Sequence, residues 1–339
     1  MHIAMVAPPW FNVPPDAYGG IEEVVSGLVH ELTGREHRVT LIGAGEDGTP
    51  AEFRRTYPDP PSKRLGDPVP EVVHAAAAAQ LIDETDADVV HDHTLAGPLT
   101  ALGRRTPTVA TMHGPVEGEM AEYYRRLGDA VALVAISDAQ RAAAPDLNWV
   151  ATVPNGLDLD SYPFREDKED WALFVGRFVP DKGAHLAIDA ARAAGLHIRL
   201  AGKASEPPEQ EYFEQEIRPR LGDDAEYVGE VDAAGKRELY AAAACLLFPI
   251  QWPEPFGMVM IEAMACGTPV VALRAGSVPE VVVDGTTGVV CDGPEELPEA
   301  IGKARRLRPA DCRAHVAGRF DLAAMADGYE RVYRDLTER

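Results

Sequence analysis

Two glutamates, Glu254 and Glu262, stand eight positions apart in PEPFGMVMIEAMACGTP, residues 253–269. A Pro-Phe-Gly turn and the start of an apolar helix separate them. Carboxylates accept hydrogen bonds from vicinal hydroxyls, as on a ribose or a hexose. A helix that opens at Gly257 leaves its first amides free for an anion. The spacing suits a ligand held at two ends. Sugar hydroxyls would meet Glu254, ribose hydroxyls Glu262, and a phosphate the amides at Phe256, Gly257 and Met258. The competing reading is a capping carboxylate plus a surface glutamate. A glutamate on the otherwise apolar face of MVMIEAMA is costly unless paired.

A second anion site is readable in LFVGRFVPDKG, residues 173–183. A strand ends at Gly176, Arg177 follows at once, and Lys182-Gly183 precede a helix. Two cations beside a helix N-terminus suit a diphosphate. The chain has only six lysines, Lys63, Lys168, Lys182, Lys203, Lys236 and Lys303, so one inside a glycine-rich turn stands out. The order of residues is neither a P-loop nor a G-x-G-x-x-G fingerprint. YVGEVD (227–232) is a further strand end, where Val231 could offer backbone groups to a base.

In the first half of the chain, Gly19 and Gly20 open a helix after the apolar, aromatic loop Pro8 to Tyr18. Glycines let a diphosphate approach the backbone, and the aromatic loop suits a hydrophobic acceptor or is core. TMHGP puts His113 just past a strand. VVHDHT places His91, Asp92 and His93 at another strand end, where alternation sends both histidines to the same side. No third ligand cluster accompanies them to suggest a metal, and ligand contacts or loop hydrogen bonds stay open. AISDAQR adds Ser137 and Arg141 as acceptor candidates, with helix capping by Ser137 as the alternative.

The elements that must position these residues are short β-branched runs alternating with helical patterns. Strands are expected at 3–7, 38–43, 88–91, 108–112, 131–137 and 150–154, and again at 172–176, 197–202, 225–229, 245–250, 269–273 and 288–291. Between them lie amphipathic stretches such as IEEVVSGLVHEL (21–32) and HLAIDAARAAG (185–195). Such alternation means α/β units with doubly wound parallel sheets. It runs twice, divided by the polar SYPFREDKED (161–170). The expected organisation is two Rossmann-like domains, 1–167 and 168–318, facing a central cleft with ligands at the strands' carboxyl ends, and a C-terminal helix, 319–339.

The chain has 339 residues and a net charge of −23. That balance argues against nucleic acid and against an anionic membrane as main partner, leaving at most peripheral membrane contact. The start MHIAMVAPPW lacks a basic region, and its apolar run breaks at Pro8 and Pro9, so a cytoplasmic protein is expected. Cys245, Cys266, Cys291 and Cys312 are too widely spaced for a metal site or a disulfide framework.

The motif order resembles the retaining glycosyltransferase family 4, of GT-B fold. The carrying residues are Gly19-Gly20, His113-Gly114, VPNGLDLDSY (153–162), VGRFVPDKG and EPFGMVMIEAMACGTPVVA, and the resemblance covers nearly the whole chain. It implies an acceptor-binding first domain, a donor-binding second domain and a C-terminal helix that crosses back to the first. It implies donor contacts at Glu254 and Glu262, a diphosphate pair in Arg177 and Lys182, an active-site role for His113, acceptor candidates in Tyr18, His91, Asp92, His93, Ser137 and Arg141, and transfer from a UDP- or GDP-sugar. It further implies no metal, no cofactor, and a front-side mechanism in which the leaving phosphate helps take the acceptor proton. The acceptor, a small molecule, glycan or lipid, is not legible. The rivals are an epimerase-like or non-catalytic nucleotide-sugar binder, and a phosphorylase. A phosphorylase would need a pyridoxal lysine, for which only Lys203 and Lys236 are placed.

Overall fold

A computed structural model describes residues 1–16 and 19–338. They form two compact units, Met1–Leu157 with the helix Leu322–Thr337, and Asp158–Asp321. The sheet of the first unit comprises β1 (His2–Val6), β2 (Arg38–Ala44), β3 (Glu52–Tyr57), β4 (Val89–Asp92), β5 (Thr108–Met112), β6 (Ala132–Ala135) and β7 (Trp149–Thr152). That of the second comprises β8 (Trp171–Val175), β9 (His197–Ala201), β10 (Ala225–Gly229), β11 (Cys245–Phe248), β12 (Val270–Leu273) and β13 (Gly288–Cys291).

Both sheets are parallel throughout, in the orders β3-β2-β1-β4-β5-β6-β7 and β10-β9-β8-β11-β12-β13. Their central strands are continuous apolar runs, such as HIAMV and VVAL, because helices cover both faces. Phe174, Phe178, Ile188, Ile198, Leu200 and Leu247 centre the core of the second unit. Each strand order reverses once, at β1/β4 and at β8/β11. Loops leaving the carboxyl ends of those adjacent strands diverge to opposite sides and open a crevice.

Each expected strand has its counterpart, but β3 was not expected. Its sequence EFRRTY shows no apolar run, since β3 is an edge strand bonded to β2 alone and its side chains stay half-exposed. The segment 161–170, expected to be a linker, is stapled to the second unit. The Lys168 ammonium donates to the carbonyls of Ala241 and Cys266, each at 2.9 Å, and to the Thr268 hydroxyl at 2.8 Å. The chain passes from one unit to the other at Leu157/Asp158 and returns at Asp321/Leu322. The returning helix packs on Gly20–Gly34, where a Leu322 methyl lies 2.6 Å from where a Cβ on Gly27 would stand. Arg35 fastens it through Asp327 at 2.5 Å and Glu330 at 3.2 Å.

Candidate functional site

The reversal at β8/β11 brings together the two motifs of the second half. The loop after β8 carries Arg177 and Lys182, and the loop after β11 carries Glu254, Phe256 and Gly257. The loops touch through backbone. Gly183 sits at φ 71°, and a Cβ there would stand 2.1 Å from the Pro249 carbonyl, so only glycine permits this approach. The Gln251 amide donates to the Asp181 carbonyl at 2.8 Å. The Lys182 ammonium donates to Glu254 Oε2 at 2.5 Å and lies 5.2 Å from the Trp252 ring centroid.

The turn at Glu254 is held from behind. The Ser277 amide donates to the Glu254 carbonyl at 2.9 Å, and the Ser277 hydroxyl to the Phe256 carbonyl at 2.8 Å. Phe256 is buried against Phe320. Gly257, at φ 78°, opens the helix Met258–Ala265, and no side chain caps it. The first-turn amides at Met258 and Val259 are thus available to an anion. Val231 is half-buried in the loop beyond β10.

Arg177 was expected as a cation for a diphosphate, but its charge is already answered. Its Nε donates to Glu209 at 2.6 Å and its Nη2 to Glu206 at 3.1 Å. The two glutamates form a capping box on the helix Pro207–Tyr212. Burial pushes the Glu209 pKa up, yet Arg177 and backbone donors prevail and hold it below the usual carboxylate range.

Glu262 differs more from the sequence reading. Its side chain is 6% exposed. It accepts from the Lys236 ammonium at 2.8 Å, the Tyr240 hydroxyl at 2.8 Å and the Tyr162 hydroxyl at 3.3 Å. Burial alone would raise its pKa, but Lys236 and the hydroxyls outweigh it and the net shift is downward. A carboxylate has about four lone-pair positions, so three donors leave roughly one for a ligand. Lysine scarcity singled out Lys182, and the same argument applied to Lys236 points here.

In the first unit, the reversal at β1/β4 places the Gly19-Gly20 turn and the Asp92–His93 segment at one carboxyl edge. Gly19 takes φ 154°, and a Cβ there would meet Pro15 at 2.6 Å, whereas one on Gly20 would meet nothing within 4 Å. Tyr18 lies outside the described residues. Glu22, at the start of the helix, turns inward and is buried. Burial, with a smaller contribution from Glu71, raises its pKa to about 7 against a backbone hydrogen bond that lowers it.

An acid whose folded pKa exceeds its unfolded one stabilises fully below the unfolded pKa and loses that contribution as pH rises through the folded one. For Glu22 the window runs from about 4.5 to about 7. Glu22→Gln mimics the protonated form. Calorimetric unfolding is therefore expected to show wild type and Glu22→Gln alike at pH 5, and the variant more stable at pH 8 by up to about 3 kcal/mol. Equal differences at both pH values would remove the buried-acid assignment.

His91 is fully buried, and both ring nitrogens are used inside the fold, at 2.6 Å from the Tyr333 hydroxyl and 2.7 Å from the Thr111 hydroxyl. It is a core residue, and the expected acceptor contact fails for it. Asp92 is buried too. Its Oδ1 accepts from the Thr94 amide and hydroxyl at 2.8 and 2.7 Å, and burial raises its pKa to about 6. It builds the loop rather than facing an acceptor. His93 packs on His91 with the rings tilted at 40° and centroids 4.0 Å apart, so the two do share a side. His93 bonds to His113 at 2.8 Å. His113 is half-buried. The carbonyls of Met112 and Gly114 on either side of it accept from the Gln140 side-chain Nε2 at 2.8 and 2.7 Å. Ser137 caps the helix Asp138–Ala143, accepting from the Gln140 amide at 3.0 Å, which leaves capping as its role. Arg141 is exposed on that helix.

Among the described residues, no group of three His, Cys, Asp or Glu side chains could hold a metal ion. Nor is any helix among them long and apolar enough to cross a membrane.

Comparison with known proteins adds the following. Residues 18–161 match the family model of Glycosyltransferase Family 4, and residues 160–314 that of glycosyl transferases group 1. The chain is 31% identical to the alpha-maltose-1-phosphate synthase of Mycolicibacterium smegmatis, over 86% of this chain and 84% of the relative. It is 30% identical to the phosphatidyl-myo-inositol mannosyltransferase of the same organism, over 99% of this chain and 94% of the relative. Among solved structures, a glycosyltransferase involved in avilamycin A biosynthesis superposes with TM-score 0.78 at 28% identity, covering 100% and 98% of the two chains. The Anabaena protein HepE in complex with UDP-glucose superposes with TM-score 0.76 at 22% identity, covering 99% and 100%, a likeness of fold.

Proposed function

The chain belongs to glycosyltransferase family 4 and has the GT-B fold, and from that premise we propose that it moves a sugar from a nucleoside-diphosphate sugar to an acceptor hydroxyl with retention of anomeric configuration. The observation that carries the donor assignment is the Lys182–Glu254 pair at the β8/β11 reversal, beside the uncapped helix Met258–Ala265. Lys182 and the first-turn amides answer the charge that grows on the leaving diphosphate. Glu254 accepts from hydroxyls of the transferred sugar, and Glu262 offers its remaining lone-pair position to the ribose. Arg177 steadies the diphosphate loop through Glu206 and Glu209.

Glu254 is tied to Lys182 and is not set up as a nucleophile. The balanced step is a front-side displacement. The bond from the anomeric carbon to the diphosphate breaks, and the acceptor oxygen bonds on the same face. The acceptor proton passes to the departing phosphate oxygen. Lys182 and the free first-turn amides of the helix Met258–Ala265 supply the charge compensation, so no divalent metal is required.

The acceptor we assign carries an apolar part. Leu65, Val69, Val72, Val73, Leu95 and Leu99 are all exposed. The helix Pro68–Asp83 starts from the carboxyl edge after β3, Leu95 follows β4 at the same edge, and the turn Gly97–Ala101 packs on that helix. Exposed apolar side chains gathered at this strand-end edge suit an apolar ligand.

One assay series tests the reading. Thermal-shift screening against UDP, GDP, ADP and dTDP sugars is expected to find one nucleotide class that stabilises by about 2.7 kcal/mol at a hundred times its Kd. With that donor, turnover should persist in EDTA, and octyl glucoside should outperform methyl glucoside as acceptor. No stabilisation by any donor would remove the donor site. Rescue of an EDTA-dead enzyme by Mg²⁺ or Mn²⁺ would overturn metal independence. The reverse acceptor order would remove the apolar surface.

A further inference from the structure

Met5, His93 and His113 lie on one line across the carboxyl ends of β1, β4 and β5, three neighbours in the sheet. Met5 is opposite His91 in the β1/β4 register, and the His93 amide donates to the Val6 carbonyl at 3.0 Å. His93 Nε2 is 3.1 Å from the Met5 sulfur, and His93 Nδ1 is 2.8 Å from His113 Nε2. The rings of His93 and His113 are stacked, 5.2 Å apart and 25° from parallel.

A thioether sulfur has no proton to give and is only a weak acceptor. His93 Nε2 must therefore be the donor in its contact with Met5. A neutral imidazole carries one proton, so His93 Nδ1 is a bare lone pair. The short contact to His113 then has one consistent polarity, with His113 Nε2–H donating to His93 Nδ1. That fixes the last ring as well, and the lone pair of His113 is left on Nδ1. His93 is 4% exposed and sits between two other imidazoles, so a second proton on it, which would reverse the argument, is strongly disfavoured.

We propose that Met5 and His93 are positioning residues that hold His113 in its Nε2–H tautomer and make Nδ1 a hydrogen-bond acceptor for a ligand hydroxyl, that of a sugar in the transferase reading. The part that names the sugar rests on the transferase reading; the tautomer does not. A ring that can only accept rewards a hydroxyl at that point of the sugar and disfavours a carboxylate there, because two acceptors would face each other. The device needs no charged partner for the imidazole, and the ring remains neutral at neutral pH, since burial lowers the His113 pKa to about 4.

The test is long-range ¹H–¹⁵N correlation spectroscopy on the ¹⁵N-histidine-labelled full chain without ligand, with His113 assigned from a His113→Gln sample. The expected result is the Nε2–H pattern for His113 and for His93. An Nδ1–H pattern for His113, or a cation at pH 7, overturns the proposal. In Met5→Leu the shape is kept and the acceptor lost, so a mixture of tautomers is expected at both rings. A pure Nε2–H pattern at both would remove Met5 from the device. His93→Phe keeps the stacking and removes the lone pair. It is expected to lower kcat roughly 10- to 100-fold, as for other groups that orient a functional histidine, while nucleoside-diphosphate affinity stays within about twofold. Equal loss in both quantities would mark His93 as merely structural. Should no donor turn over at all, the spectra still decide the tautomer.

Discussion

Lys182→Ala is expected to lower kcat about 10²- to 10³-fold, the cost of removing one preorganised group aimed at charge that grows in the transition state. The structure adds a sign that the residue types alone do not carry. Lys182 rests against Glu254 at 2.5 Å, with the two side chains 24% and 12% exposed. A bound diphosphate therefore competes with Glu254 for the same ammonium. Removing that competitor in Glu254→Gln should tighten the binding of free nucleoside diphosphate by up to about fivefold, the worth of a partly exposed ion pair of about 1 kcal/mol. The same variant should lose kcat, because the carboxylate that orients the sugar is gone and its contribution is larger in the transition state. Calorimetric titration with UDP and GDP, set beside single-turnover rates, separates the two effects. In the double variant the gain in affinity should vanish, since no lysine is left to release. Weaker diphosphate binding in Glu254→Gln would show that the pair is not a resting latch, and a Lys182→Ala enzyme within threefold of wild-type kcat would take Lys182 out of the chemistry.

How much of this was legible follows from what each residue answers to. Buried parallel strands must be apolar along their length, so β1, β8, β11 and β12 are plain in the sequence. EFRRTY is not, because an edge strand bonded on one side has no such obligation. The polarity of SYPFREDKED marks exposure to solvent as readily as it marks a linker, and only the bonds of Lys168 show the segment docked. Residue types and strand ends marked Lys182, Glu254 and Glu262 as donor candidates, and the fold brings Lys182 and Glu254 into contact. Their partners were not readable, since Glu262 meets Tyr162, Lys236 and Tyr240 from distant parts of the chain. Alternation put His91 and His93 on one side of β4. It could not tell that His91 would be consumed by Tyr333 of the returning helix, whose position depends on the whole chain.

Glu262→Gln should destabilise the second unit substantially, and this alters what it can reveal about the donor. The carboxylate is 6% exposed and its lysine partner 31%. Breaking a buried pair by removing one charge costs about 3–5 kcal/mol, and the partial exposure of Lys236 places this one near the lower end. A glutamine also turns an amide toward donors that previously met only lone pairs. For a unit of this size, a loss of about 3 kcal/mol lowers the unfolding midpoint by roughly 6–12 °C. KM should rise as well if the remaining lone-pair position serves the ribose, but a raised KM in an unstable variant proves nothing by itself. The companion variant Glu262→Leu with Lys236→Met resolves the ambiguity, because replacing both members of a buried pair with apolar groups is often near neutral. The expected outcome is that stability returns toward wild type in the double variant while nucleoside-diphosphate affinity does not, which assigns Glu262 both an internal and a ribose-binding role. If affinity recovers together with stability, Glu262 never touches the nucleotide. It would then serve only to hold Lys236, Tyr240 and Tyr162 beneath the helix Met258–Ala265, and the donor would be anchored through Lys182 and the amides alone.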